Sequence, residues 1–306
     1  MQAVQKLGRL FPLRYRTVTP LEEDELGSVV DVPEGFVPTN PSIAEFGGRR
    51  IANVRCVNYR LHGERTLKSS FLTGDDWQSV NRVISWEGPH PDRPSAHPEL
   101  SRLLGDIEDV RFLAIGDRLH ASGTCYENGV GGIALFTFDT ALELVGRQRF
   151  SSPFGFGQEK NWAPFEKDGE LFYIYALNPL IVLRRDTSEA GYRIVHGDGT
   201  RPSDISFNTG GSSQGIPFAD GWLFVFHRRR VQPVISGTIY VHYFVWISRD
   251  FRTVRRGEPF VIDRPAVHFV SGMIRDGKDL LLSYGRADST ALLARFPLSK
   301  LPIPVA

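Results

Sequence analysis

Two cysteines in 306 residues, Cys56 and Cys125, are too few and too far apart for a zinc motif or for the disulfide framework of a small secreted domain. They are expected as reduced, buried thiols. An excess of one charge is also missing. Thirty-six Lys and Arg against thirty-five Asp and Glu leave a formal charge of +1, which supplies no global field for a polyanion. Nucleic acid and membrane surfaces are therefore not expected partners. No apolar run approaches the length that spans a bilayer, and Met1 to Pro12 hold no apolar core of signal-peptide length, so a cytoplasmic location is the expectation. The eight His are scattered, with His90 and His97 in a Pro-rich stretch lacking tetrahedral partners, so neither a metal nor another cofactor is expected. Long helical stripes are absent too, and only Pro98 to Leu104 reads as a short helix.

What is present is a globular composition, 41% hydrophobic and 11% aromatic with 30 Gly and 20 Pro, ample for a large core. Residues 1–306 read as one domain, with residues 1–35 as an N-terminal lead-in. Apolar runs such as Leu171 to Ala176, Trp222 to Phe226, Ile239 to Ile247 and Leu280 to Tyr284 are short, β-branched or aromatic, and bounded by turn dipeptides. That pattern predicts an all-β fold. An acidic or glycine turn followed by an aliphatic-aromatic strand recurs at Gly47-Gly48, Gly116-Asp117, Asp168-Gly169, Asp220-Gly221 and Asp276-Gly277. The copies lie about 50 to 70 residues apart, the size of a four-stranded propeller blade with its loops. Five copies predict a five-bladed β-propeller, in which radially stacked sheets cover each other's faces and inner strands converge on a central funnel. A two-sheet sandwich with the same turns is the alternative.

Polar clusters recur near these strands. Asn40-Pro41 is followed by Asn53 and Arg55, which share one side of a period-two strand. Glu108-Asp109-Val110-Arg111 precedes an apolar strand, where a partly desolvated carboxylate can have the raised pKa of a general acid. Lys160-Asn161, Arg184-Arg185 and His227 to Arg230 supply donors able to hold an oxyanion. The Gly210 to Gly215 run lacks the ending of a nucleotide-binding P-loop. Ser271-Gly272 and Tyr284 to Asp288 complete the set, the Asp either binding sugar hydroxyls or closing a turn.

In this order the clusters resemble the mannoside phosphorylases and mannosidases of glycoside hydrolase family 130, and the related β-1,2-mannosyltransferases. Asn40-Pro41 and Arg55 look like the family's first element, and Glu108-Asp109-Val110-Arg111 its Glu-Asp-Pro-Arg motif. Lys160-Asn161 to Phe165, Gly221-Trp222-Leu223 ending in Phe226-His227, Phe269 to Gly272, and Tyr284 to Asp288 resemble the rest. Val110, Phe226 and Val270 depart from the family's Pro, Tyr and Pro, which marks a distant branch. The resemblance implies a five-bladed propeller enzyme acting on β-linked hexosides, mannosides above all, by inverting phosphorolysis or glycosyl transfer. Its partners would be an oligosaccharide or sugar together with inorganic phosphate or a nucleotide sugar. It further implies that Asp109 is the proton donor, that Asn40, Arg55, Arg111, Asn161, Tyr284 and Asp288 bind the sugar, and that Lys160, Arg184, His227 and Arg228 hold phosphate. A hydrolase of the same fold, or a glycan-binding propeller without activity, are the competing readings.

Overall fold

The computed structural model describes residues 15–29, 32, 35–58, 66–73, 78–79, 107–127, 130–156, 159–202, 209–232 and 237–305. The expected helix at Pro98 to Leu104 lies outside them, as do His90 and His97. Two short strands come first, β1 (Arg16–Val18) and β2 (Glu22–Glu25). The first sheet is β3 (Val37–Phe46), β4 (Arg49–Asn58), β5 (Thr66–Thr73) and β6 (Gln78–Ser79); the second is β7 (Ile107–Ile115), β8 (Arg118–Glu127), β9 (Val130–Phe138) and β10 (Leu144–Phe150). The third is β11 (Ala163–Lys167), β12 (Glu170–Leu177), β13 (Leu180–Arg185) and β14 (Tyr192–His196). The fourth contains β15 (Thr209–Gly211), β16 (Ile216–Phe218), β17 (Gly221–Gln232), β18 (Gly237–Ser248), β19 (Val254–Arg256) and β20 (Phe260–Ile262). The fifth is β21 (His268–Asp276), β22 (Asp279–Arg286) and β23 (Thr290–Pro297). The all-β expectation holds, and no α-helix occurs among the described residues.

All five turn repeats fall at the same place, in the hairpin joining the first strand of a sheet to its second. Such tight turns require left-handed backbone, adopted at Gly47, Gly116, Asp168-Gly169 and Gly277. The fourth repeat differs: Ala219 takes the positive φ, while Gly221 opens β17 where a Cβ would collide with the Ile247 carbonyl.

The apolar residues segregate into five clusters, each between two consecutive sheets. Phe46 and Ile51 of the first sheet meet Phe112 and Phe136 of the second. Leu113 and Leu135 of the second meet Tyr173 and Leu183 of the third. Phe165 and Phe172 meet Trp222 and Phe224, and Leu223 and Phe244 meet Leu282 and Phe296. The last cluster returns from fifth sheet to first, joining Leu281 and Leu293 to Ile43 and Val54. Each sheet thus buries both faces, which explains why the strands read as nearly continuous apolar runs. Cys56 and Cys125 are buried free thiols within this core, as expected.

Polar bonds follow the same order at the innermost strands. The Phe112 amide donates to Ser42 Oγ, the Gly211 amide to the Asn161 carbonyl, and Ser271 Oγ to the Pro41 carbonyl. Gln214 bridges three sheets, donating to the carbonyls of Ile43 and Met273 while accepting from the Met273 amide. The N-terminal strands are part of the fold: β2 pairs antiparallel with β23, and β1 parallel with β20.

Candidate active site

Regular strands alternate their side chains, so several polar groups meet at one point only if the inner strands break step. They do. The ladder slips between Thr39 and Ser42 on β3 and between Glu108 and Arg111 on β7. On the fourth sheet the amides of Ser212 and Ser213 both donate to the Val225 carbonyl. Asn40, Asp109 and Asn161 occupy the left-handed region, with φ of 41°, 52° and 61°. Asn and Asp tolerate this conformation better than other side chains, and the bulges re-aim them.

Asp109 is the centre of the arrangement. Its Oδ1 accepts from Asn40 Nδ2 at 2.9 Å and from Arg55 Nη1 at 2.7 Å. Arg55 extends from β4, the second strand of its sheet, and its Nη2 lies 3.4 Å from Glu108 Oε1. Asn53 shares that strand but is fully buried with neither amide atom hydrogen-bonded, so it does not join the cluster. Glu108 Oε2 accepts from Lys160 Nζ at 2.9 Å. Arg111 spends its guanidinium on the scaffold: Nε donates to the Ser212 carbonyl, Nη1 to the Asp109 carbonyl, and Nη2 to the Gly211 carbonyl and Asn161 Oδ1, all within 2.7–2.9 Å.

The electrostatics correct one expectation. Burial raises the Asp109 pKa, but the Arg55 and Arg111 guanidiniums, the Asn40 amide and Lys160 outweigh it, so the carboxyl is held below its ordinary range. It stands ionised in the free protein rather than waiting as a neutral acid. Glu108 is likewise lowered, because Arg55 and Lys160 overcome burial and the repulsion of Asp109. Burial pushes the His227 ring down to about 3, assisted by Arg111, so His227 is neutral at physiological pH. Its Nδ1 lies 2.8 Å from Ser212 Oγ, and its ring packs edge-on against Tyr240 and Phe269. Arg111 also falls, to about 10, by burial against the pull of Asp109, and remains a cation.

The loop carrying Lys160 and Asn161 is anchored by its neighbour. Buried Glu159 accepts from Ser152 Oγ, from Tyr175 OH at 3.1 Å and from Trp162 Nε1 at 3.1 Å. Glycines clear space on the opposite side: a Cβ at Gly285 would overlap Asn40 Oδ1, and one at Gly210 would lie 2.8 Å from the Asn161 Cβ.

Asn40, Arg55, Asp109, Arg111, Lys160, Asn161 and His227 are thus brought together. Asp288 stands at φ 51° in the turn after β22, within electrostatic reach of Tyr240, which also senses Asp109 and Lys160. The other residues stand apart. Arg184 pairs with Glu170 near the β11–β12 turn, at the opposite end of the third sheet from Asn161. Arg228 is exposed and, one residue from buried His227, projects from the other strand face. Tyr284 is buried; its ring meets His268 and its hydroxyl donates to Glu23, so in the Tyr284-Gly285 pair it is the glycine that abuts the site. Sequence reasoning overlooked Glu108, Ser212, Tyr240 and Gly285 as members of the site. Glu108 carried a signal as a carboxylate adjoining Asp109, and Ser212 and Gly285 lay inside quoted motifs, whereas Tyr240 had none.

No protein-family model matches the chain, and no curated protein does. Solved structures do match. A β-1,2-mannobiose phosphorylase from Listeria innocua, in complex with β-1,2-mannobiose, is 16% identical with TM-score 0.60 over 90% of this chain and 94% of its own. A mannose phosphorylase from Leishmania mexicana holding a phosphate ion is 16% identical with TM-score 0.56, covering 96% and 94%. A structure from the family 130 mannoside phosphorylases, a family containing hydrolases that target β-1,2-mannosidic linkages in Candida mannan, is 15% identical with TM-score 0.58, covering 89% and 87%. The fold is shared with family 130, a distant relationship, and these neighbours are enzymes acting on sugars.

Proposed function

We propose that the five sheets are the blades of a single five-bladed propeller, and that the chain is an enzyme transferring a mannosyl group between a β-linked mannoside and phosphate with inversion. The five interface clusters, running from each sheet to the next and from the fifth back to the first, support the propeller reading. The observation that carries the chemistry is Asp109 Oδ1 between Asn40 and Arg55, with Lys160 and Arg111 alongside. In synthesis, a hydroxyl of the acceptor sugar attacks C1 of mannose 1-phosphate, the C1–O bond to phosphate breaks, and the hydroxyl proton passes to the Asp109 carboxylate. Phosphate leaves as an anion and needs no acid. In phosphorolysis the ionised Asp109 takes a proton from incoming dihydrogen phosphate and gives it to the glycosidic oxygen, directly or through a sugar hydroxyl, as phosphate attacks C1 and the C1–O bond to the departing sugar breaks. Phosphate is already a charged nucleophile, so positioning it takes the place of a second catalytic carboxylate.

Asn40 and Arg55 orient the carboxylate, and Asn161, His227, Tyr240 and Asp288 surround the space a sugar would take. His227, being neutral, serves as a hydrogen-bonding group rather than a charge, which leaves Lys160 and Arg55 as the cations for phosphate. The phosphate bound by the Leishmania neighbour and the mannobiose bound by the Listeria neighbour support these two partners. The test is incubation with β-mannobiose and phosphate, and separately with mannose 1-phosphate and mannose, followed by product analysis. Mannose 1-phosphate is expected in the first, and Asp109→Asn should lower turnover at least about 100-fold while the fold is retained. Free mannose formed equally without phosphate would overturn phosphorolysis in favour of hydrolysis.

A further inference from the structure

We propose that Glu108 is an internal counter-ion that occupies the cation pair Lys160 and Arg55 in the free protein, and that phosphate binds by displacing it from Lys160. This rests on the phosphate-dependent reading above and adds a residue that sets the strength of anion binding. The geometry is asymmetric in a telling way. Glu108 has a side chain only 5% exposed, whereas the Lys160 side chain is 23% exposed, so the cation is partly open to solvent while its carboxylate partner is buried. Lys160 Nζ lies 2.9 Å from Glu108 Oε2, the separation of a full charge-assisted hydrogen bond. Arg55 is divided between both carboxylates, 2.7 Å from Asp109 but 3.4 Å from Glu108.

An anion approaching the site therefore meets no unopposed Lys160 charge. It must compete with a carboxylate that is already desolvated and held beside the same ammonium. A phosphate carries more charge and more acceptor oxygens than one carboxylate, and so can outcompete Glu108 for Lys160 beside Arg55, whose own contact with Glu108 is weak at 3.4 Å. Glu108 also screens the pair from smaller anions that offer one contact. The residue is a positioning and selectivity element, acting through Lys160 rather than on the reacting atoms.

The decisive variant is Glu108→Gln, close in shape but uncharged. Phosphate binding to the wild type and to the variant is measured by titration calorimetry with inorganic phosphate, alongside KM for phosphate and for mannobiose. Removing one negative charge beside Lys160 is expected to tighten phosphate binding by about tenfold or more, since charges a few ångströms apart interact by several kcal/mol at an effective dielectric near 20. KM for phosphate should fall accordingly and by several-fold more than any change in KM for mannobiose, a split that a purely structural role would not produce. An unchanged or weaker phosphate affinity in a folded variant would overturn the proposal. Should the variant fail to fold, the wild type crystallised with phosphate answers instead: Lys160 Nζ should leave Glu108 for a phosphate oxygen, and a retained Lys160–Glu108 bond beside bound phosphate would refute displacement. A wild type that ignores phosphate while Glu108→Gln binds it would keep Glu108 as counter-ion but overturn both displacement and the phosphorolytic reading.

Discussion

Replacing Arg111 with lysine tests whether the guanidinium is a tie between sheets or a contact for substrate. The charge is kept, so any loss reports geometry. Arg111 is 2% exposed and reaches four acceptors in three directions: the carbonyls of Ser212, Gly211 and Asp109, and the side chain of Asn161. A lysine ammonium donates from one point and cannot span the guanidinium fork. If two of these acceptors are left without a donor, at about 1–3 kcal/mol each, the variant loses about 2–6 kcal/mol. That is a large part of the stability of an ordinary domain, about 5–15 kcal/mol. Urea unfolding followed by tryptophan fluorescence reads the difference directly, with wild type and variant compared at equal slope. A loss below about 1 kcal/mol would refute the reasoning, because it would mean that the acceptors find other donors or were never dependent on Arg111.

Other perturbations bear on neighbouring parts of the argument. Gly285→Ala should push Asn40 from Asp109 and lower kcat/KM about 10-fold or more, by analogy with lost positioning contacts; unchanged kinetics would show that Asn40 is not needed there. Gln214→Leu leaves the buried carbonyls of Ile43 and Met273 without their donor, and should cost about 2 kcal/mol or more in the same urea assay. Acid should destabilise the protein in two stages. His227, lowered to about 3, is neutral when folded but takes up a proton when unfolded, so its share of stability is present above about pH 6.5 and is lost as pH falls toward 3. Asp109 and Glu108, whose pKa values are lowered, hold their share above about pH 4 and lose it below. His227→Gln should shrink the first stage without abolishing it, because burial also lowers His120, His242 and His268, and should leave the second, as read from urea midpoints across the pH range.

The repeated turns were legible because four of the five use Gly or Asp where the chain enters the left-handed region, and composition alone marks such places. The sheet interfaces were legible as apolar runs. The site was only half legible. Asn40, Asp109 and Asn161 were found by resemblance, yet the reason they converge is a set of bulges, and a slipped ladder leaves no period-two signature to count. Arg55 stands on the second strand of its sheet and reaches the site by length. Arg184 and Arg228 show the opposite failure: cationic residues near the right motifs, directed elsewhere by strand alternation and by position along the hairpin. The ionised state of Asp109 could not be read at all, since it depends on Arg55, which is 54 residues away in sequence.

The pairing of β2 with β23 gives the order of assembly a functional meaning. On the ribosome the first four sheets can emerge and stack one by one, but the outer strand contributed by Glu22–Glu25 has nothing to dock on until Thr290–Pro297 has been made. The Asn40 amide, which abuts Gly285, shares that wait. The proposed site is thus complete only once Glu22–Glu25 has clasped Thr290–Pro297, so chains that lack the hairpin Asp279–Pro297 should not turn over the mannosides of the proposed reaction however well their earlier sheets have formed.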